Sequence, residues 1–439
     1  MGDDHSVKVR SREATPGSQE VPMSLGREAD GTSARNLANP CPDARRPAVP
    51  PEPDRAPPIA VALSGGGFRA TLAGLGVLRF LAQAGLLGRV NRVSSVSGGS
   101  ITNGLLAVNH DALQQRGFSG EAVDELLIRP LVDKISSRSF TTKLLANVWR
   151  ALGSNTRTDV LAWAFDDWFF DGHLLRDLPT RVRFTFNAAN ATTGVRFGFE
   201  RDVIGDYVLG WVPTAGTGLR VAQATAASAA VPGFFAAFTL DGVRFPCHGQ
   251  QPVKLLDGGV YDNLALEVID RLEPRQEAGR DRDPFVVALN AGGILRVGAY
   301  GRIPLIRDLS RANSLLYRQS SALRMRGMVE RFEIWEDTPA GQRPPKFSRR
   351  GVLFGLASGL PEDKRNPEWE SSRPEHPWWQ PGDPDPTLEL ATVKTSFSRF
   401  APQLCERLVH RGWWLTGATL SAYHPELLDI PALPTWEWP

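Results

Sequence analysis

The sequence predicts an α/β fold, and three observations carry that prediction. Ile59–Leu63 and residues 285–289 are continuous apolar runs of strand length, the pattern of strands covered on both faces of a parallel sheet. A third apolar-leaning run, residues 90–96, ends on Ser97-Gly98-Gly99 and passes at once into the helix-compatible residues 101–108. Ser64-Gly65-Gly66-Gly67 makes the same transition after Ile59–Leu63, into a helix reaching about Gly85.

Composition narrows the function classes. A formal net charge of +2 over 439 residues gives no global field for nucleic acid. Three widely separated cysteines, Cys41, Cys247 and Cys405, show no zinc spacing and argue against a disulfide scaffold. No run of about eighteen apolar residues or secretory leader is present, so the expectation is a cytoplasmic chain, at most peripheral at a membrane.

Residues 1–57 carry nine prolines and few large apolar groups, the signature of a tail that cannot offset its ordering entropy. Residues 58–439 then read as one catalytic domain. In the helix after Gly67, Arg79 and Gln83 are the polar residues of a narrow stripe, so most of that helix is buried. Residues 119–170 read as helical. Within them, residues 134–157 hold five basic and no acidic side chains, with Phe140, Leu144, Leu145, Val148 and Leu152 at helical spacing. Such a helix suits an anionic lipid surface or the protein's own core.

Residues 178–200 alternate as a hairpin turning at 190–194, residues 220–230 form an alanine-rich helix, and residues 238–246 suggest a second hairpin. Asp257-Gly258-Gly259 ends an apolar run ahead of a helix over 264–272. A long basic helix is expected over 302–326, with Leu309, Leu316 and Leu323 at heptad spacing, and a strand over 331–335. Seven prolines with Trp369, Trp378 and Trp379 mark 357–387 as a surface insertion. Helices over about 388–423 close the fold.

Acyl transfer needs a nucleophile, a base and donors for an oxyanion. Ser97, on a sharp strand-to-helix turn, fits the first role. The bare amides of Gly65, Gly66 and Gly67 fit the last. Histidine is the default base, yet none of the seven sits in a motif-like context. Asp257 can serve if Leu255, Leu256 and Val260 desolvate it and raise its pKa.

Ser64-Gly65-Gly66-Gly67-Phe68-Arg69-Ala70, Val96-Ser97-Gly98-Gly99-Ser100, the segment Ala226 to Gly233, and Asp257-Gly258-Gly259-Val260-Tyr261-Asp262-Asn263 together resemble the patatin-like phospholipases, in order and rough spacing. The resemblance covers roughly residues 58–290. It implies a three-layer α/β/α fold around a mainly parallel sheet and a lipid acyl hydrolase with a Ser97–Asp257 dyad. Gly65, Gly66 and Gly67 would form the oxyanion loop, and Arg69 would steady that loop or meet a substrate phosphate. No metal or cofactor is implied, and the partner is a phospholipid or lysophospholipid. Ser95 stands where the family commonly has glycine. The rival readings are a Ser–Asp–His hydrolase using His410 or His424, a non-catalytic lipid-binding module of the same fold, and, more distantly, a nucleotide site at Gly65 to Gly67.

Overall fold

The computed structural model describes Cys41 and residues 58–147, 149, 156–270, 284–293, 304–339, 342, 345, 347–359, 363 and 386–428. The proline-rich tail, apart from Cys41, and most of the 357–387 insertion lie outside these residues.

Eight strands run across the sheet in the order β10-β9-β1-β2-β3-β4-β5-β6. The strands are β1 (Ile59–Leu63), β2 (Val90–Ser95), β3 (Arg183–Asn190), β4 (Val195–Phe199), β5 (Val203–Asp206), β6 (Gly210–Pro213), β7 (Phe238–Leu240), β8 (Val253–Asp257), β9 (Phe285–Asn290) and β10 (Gly351–Gly355). The five from β10 to β3 are mutually parallel, and β4 to β6 extend the sheet antiparallel, so the whole is mixed. β8 pairs antiparallel with the far end of β3, and β7 with β8.

Strand periodicity explains the three layers. Ile59, Val61, Leu63, Phe285, Val287 and Leu289 face α1 (Gly67–Gln83), α2 (Gly98–Val108), α3 (Val221–Ser228) and α5 (Pro402–Tyr423) in one core. The alternate residues Ala60, Ala62, Val286 and Ala288 face Met328 and Phe332 of α4 (Pro304–Glu336) in the other. α1 is buried from Gly67 to Ala82, with Arg79 paired to Asp124 at 2.9 Å and bonded to Gln83.

Four expectations are corrected. Residues 331–335 continue α4 as helix, because Met328 and Phe332, four apart, bury one face of it. Phe238–Leu240 finds its partner in Val253–Asp257 beyond a longer connection, and Phe245 instead bridges to Gly249. The basic stretch 134–157 is not one helix. Arg129–Ser137 ends, Ser139 caps a new helix Phe140–Ala146, and Phe140 is buried while Leu145 is exposed.

The fourth concerns cysteine. Cys41 and Cys247 form a disulfide across 206 residues of sequence, and Cys405 is free and buried. Spacing could not reveal the bond, because its partners are 206 residues apart and meet only in the fold; the Cys41 N–H donates to the Tyr207 carbonyl. Cys41→Ser is expected to destabilise the protein by about 2–4 kcal/mol, read by urea unfolding without reductant. Equal midpoints for variant and parent would argue against the bond.

Candidate active site

Sheet register brings the two remote motifs together. Ser95, the last residue of β2, pairs with Phe186, and Asp257, the last of β8, pairs with Ala188 two residues further along β3. The antiparallel β8 therefore delivers Asp257 back to the turn that follows β2. Ser97 is that turn. Its backbone has φ 52° and ψ −121°, strain of about 1–3 kcal/mol for a residue with a side chain.

A buried hydroxyl network holds the turn in place. The Ser97 N–H donates to Ser228 Oγ at 3.0 Å, and Ser228 Oγ donates to the Asn187 carbonyl at 2.6 Å. Ser100 Oγ lies 2.9 Å from both Ser228 Oγ and Ser95 Oγ. Asn103 Nδ2 donates to Ser95 Oγ at 2.8 Å. The side chain that replaces a glycine at position 95 is thus absorbed by partners of its own. α3 supplies Ser228, and its end also anchors the other motif: Asp257 N–H donates to the Ala230 carbonyl and Gly258 N–H to that of Ser228.

The glycine loop closes over this pair. Gly66 has φ 149° and Gly67 φ 59°, and a Cβ on Gly66 would stand 2.7 Å from the Ala291 carbonyl oxygen. The Gly65 N–H donates to the Asn263 carbonyl, so of the three glycines only Gly66 and Gly67 present amides without a partner among the described residues. Gly98 must lack a side chain as well, because its Cβ would lie 2.1 Å from the Gly67 carbonyl oxygen.

Arg69 is 1% exposed and binds protein oxygens. Its Nε and Nη2 donate to the Ala291 carbonyl at 3.0 and 2.8 Å, Nη2 also to Thr395 Oγ1, and Nη1 to the Val393 carbonyl. Burial pulls its pKa down to about 10, which still leaves it charged at neutral pH. Of the two roles expected for it, steadying the loop is the one this geometry serves.

Asp257 is 1% exposed. Burial pushes its pKa up to about 6, against the downward pull of the Gly259 N–H, which donates to Oδ1 at 2.7 Å, and of the Ser97 and Tyr317 hydroxyls. Oδ2 has no well-formed hydrogen bond. A carboxylate so placed is half protonated near pH 6 and a usable base above it.

These groups line a cavity of about 1530 Å³. Leu144, Leu145, Val160, Phe234, Phe235 and Phe397 give it apolar walls, while Ser314, Arg318, Lys394 and Thr395 give polar and cationic ones. No histidine is among its lining residues. His410 packs on Trp413 and His424 lies 3.2 Å from Glu426, so neither candidate for a triad reaches the cavity. Among the described residues no cluster of His, Cys, Asp and Glu could hold a metal, and no helix is long and apolar enough to cross a membrane.

Sequence reasoning missed several contributors. Tyr317 was one tyrosine on a helix expected only for its leucines. Residues 393–396 carry no motif, yet the Ser396 carbonyl accepts from the Phe68 N–H at the start of α1. Asn263 stood inside the Asp-Gly-Gly motif without a role; its carbonyl takes the Gly65 amide.

Residues 61–270 match the model of the family described as patatin-like phospholipase. No curated protein sequence matches the chain. Among solved structures it is similar to human GIVD cytosolic phospholipase A2, at 13% identity and a TM-score of 0.46, covering 84% of this chain and 60% of that one. The same enzyme in complex with methyl gamma-linolenyl fluorophosphonate gives 15% identity and 0.42, covering 84% and 59%. VipD from Legionella pneumophila gives 14% and 0.33, covering 85% and 67%. The chain thus spans about 60% of the length of the human enzyme. All four motifs fall, in order, inside residues 61–270, and it is this segment that matches the patatin-like phospholipase family.

Proposed function

We propose that the chain is a lipid acyl hydrolase in which Ser97 is the nucleophile and Asp257 the base. The observation that carries this reading is the meeting of a strained serine, a buried carboxylate with its pKa near 6, and two unpartnered glycine amides in one cavity.

In this mechanism Asp257 takes the Ser97 proton as Oγ attacks the ester carbonyl carbon. The carbonyl electron pair moves onto oxygen, where the Gly66 and Gly67 N–H groups hold it; donors of this kind contribute about 2.7–4 kcal/mol each. Collapse of the tetrahedral species breaks the ester C–O bond, and the departing alcohol takes the proton from Asp257. A water that gives a proton to Asp257 then attacks the acyl-serine, releases the fatty acid and restores the Ser97 hydroxyl. Gly65 bounds the loop rather than donating, and Arg69 ties it to residues 291 and 393–395.

The apolar walls suit an acyl chain, and the cationic side chains suit a phosphate-bearing headgroup. Leu145 and Phe234, 67% and 73% exposed where they line the cavity, offer contact to a lipid surface. A panel of phospholipids and lysophospholipids assayed by mass spectrometry is expected to show free fatty acid released by the parent protein and none above background by Ser97→Ala. Equal release from both would overturn the proposal.

A further inference from the structure

We propose that Tyr317 is a positioning residue for the base: its hydroxyl donates a hydrogen bond to the Asp257 carboxylate and holds the oxygen that receives the Ser97 proton. This rests on the Ser97–Asp257 reading above.

The geometry supports the proposal from two directions. α4 crosses the Asp-Gly-Gly loop and wedges the Tyr317 ring against it, so that a Cβ on Gly259 would lie 2.4 Å from Tyr317 Cε1. At the same place two buried oxygens have no well-formed hydrogen bond, Asp257 Oδ2 and Tyr317 Oη. One is an acceptor and the other a donor, and the two side chains interact directly. Both groups line the cavity that holds Ser97.

Electrostatics agree. Burial, and then the charge of Asp257, push the Tyr317 hydroxyl above its ordinary pKa, so it keeps its proton and remains a donor at every working pH. In return the hydroxyl favours the charged carboxylate. Among the described residues, the other charged groups near this pair are Arg69 across the glycine loop, Arg318 and Arg324 on α4, and Asp262, Glu267 and Arg196 beyond the Asp-Gly-Gly loop. Arg324 pairs with Asp262 at 3.4 Å and with Glu267 at 2.9 Å.

The test is the pH profile of kcat/KM on a soluble carboxylic ester, measured for the parent, Tyr317→Phe, Tyr317→Gln and Asp257→Asn. Tyr317→Phe removes only the hydroxyl. It is expected to lower kcat about tenfold with KM little changed, as a base held loosely loses part of its rate contribution. It should also move the acid limb to higher pH, because the carboxylate loses a donor that favoured its charged form. Tyr317→Gln, with an amide donor, is expected to hold the limb closer to that of the parent than Tyr317→Phe does. An acid limb unmoved in Tyr317→Phe overturns the proposal, whether activity falls or not. Failure of the underlying reading looks different: Asp257→Asn would then retain turnover with the parent's acid limb.

Discussion

Ser97→Ala is expected to lower ester hydrolysis by roughly 10⁴-fold or more and to abolish labelling by a fluorophosphonate probe, with the fold unchanged. The two halves of that result have separate structural grounds. Loss of turnover follows because, among the described residues, no other hydroxyl stands at a positive-φ turn beneath the glycine amides. Retention of the fold follows because the network under the turn uses the Ser97 backbone N–H, through Ser228, and leaves the side-chain oxygen out. Circular dichroism and a thermal melt alongside the labelling separate the two. A probe that still labels Ser97→Ala would place the reactive nucleophile elsewhere.

Asp257→Asn is expected to cost about 10³–10⁴-fold in kcat while making the protein more stable above pH 6. Burial raises the carboxyl's pKa from 3.8 to about 6 in the folded chain. Between those values the folded state holds a proton that the unfolded state has released. Stability from this group is therefore fully present below the unfolded pKa and is lost as pH rises through 6, by about 3 kcal/mol in all. Asparagine carries no charge to desolvate, and its Oδ1 still accepts from Gly259. Urea unfolding should show the variant gaining on the parent from pH 4 to pH 8, by roughly 2–3 kcal/mol once the hydrogen bonds to a charged acceptor are discounted. Parallel curves across that range would mean that water reaches the carboxylate. Such a gain at the expense of activity is what a site built around a buried base entails.

The parts of this site readable in the sequence share one property: their chemistry is local. A run of apolar residues, a serine and two glycines specify the elbow within nine positions, and Gly65 to Gly67 specify the loop within three. Ser97, Asp257, Gly66 and Gly67 all line one cavity. What sequence could not show depends on long-range register. Nothing in the spacing tells that β8 runs back along β3 to return Asp257 to the turn. Tyr317 reaches Asp257 from 60 residues away on a helix whose heptad-spaced Leu316 and Leu323 are exposed. The end of that helix differs from expectation for a related reason, since residues 331–335 mix two aromatics and a β-branched residue as a strand would, and only burial of Met328 with Phe332 settles the period. Gly65 shows the converse error: the motif suggested a third free donor, and tertiary structure gave that amide to Asn263.

The Phe68 ring meets Phe140, Phe169, Phe397 and Phe400 edge-on, and the Ser396 carbonyl caps the helix that Gly67 begins. The roof of the cavity is therefore bolted down by residues 396–400, more than a hundred residues beyond the matched family segment. During synthesis Ser97 and Asp257 exist well before the amides are locked over them. A nascent or truncated product ending near residue 270 would carry Ser97 and Asp257 without the residues that pin the glycine loop, and it is expected to be inert.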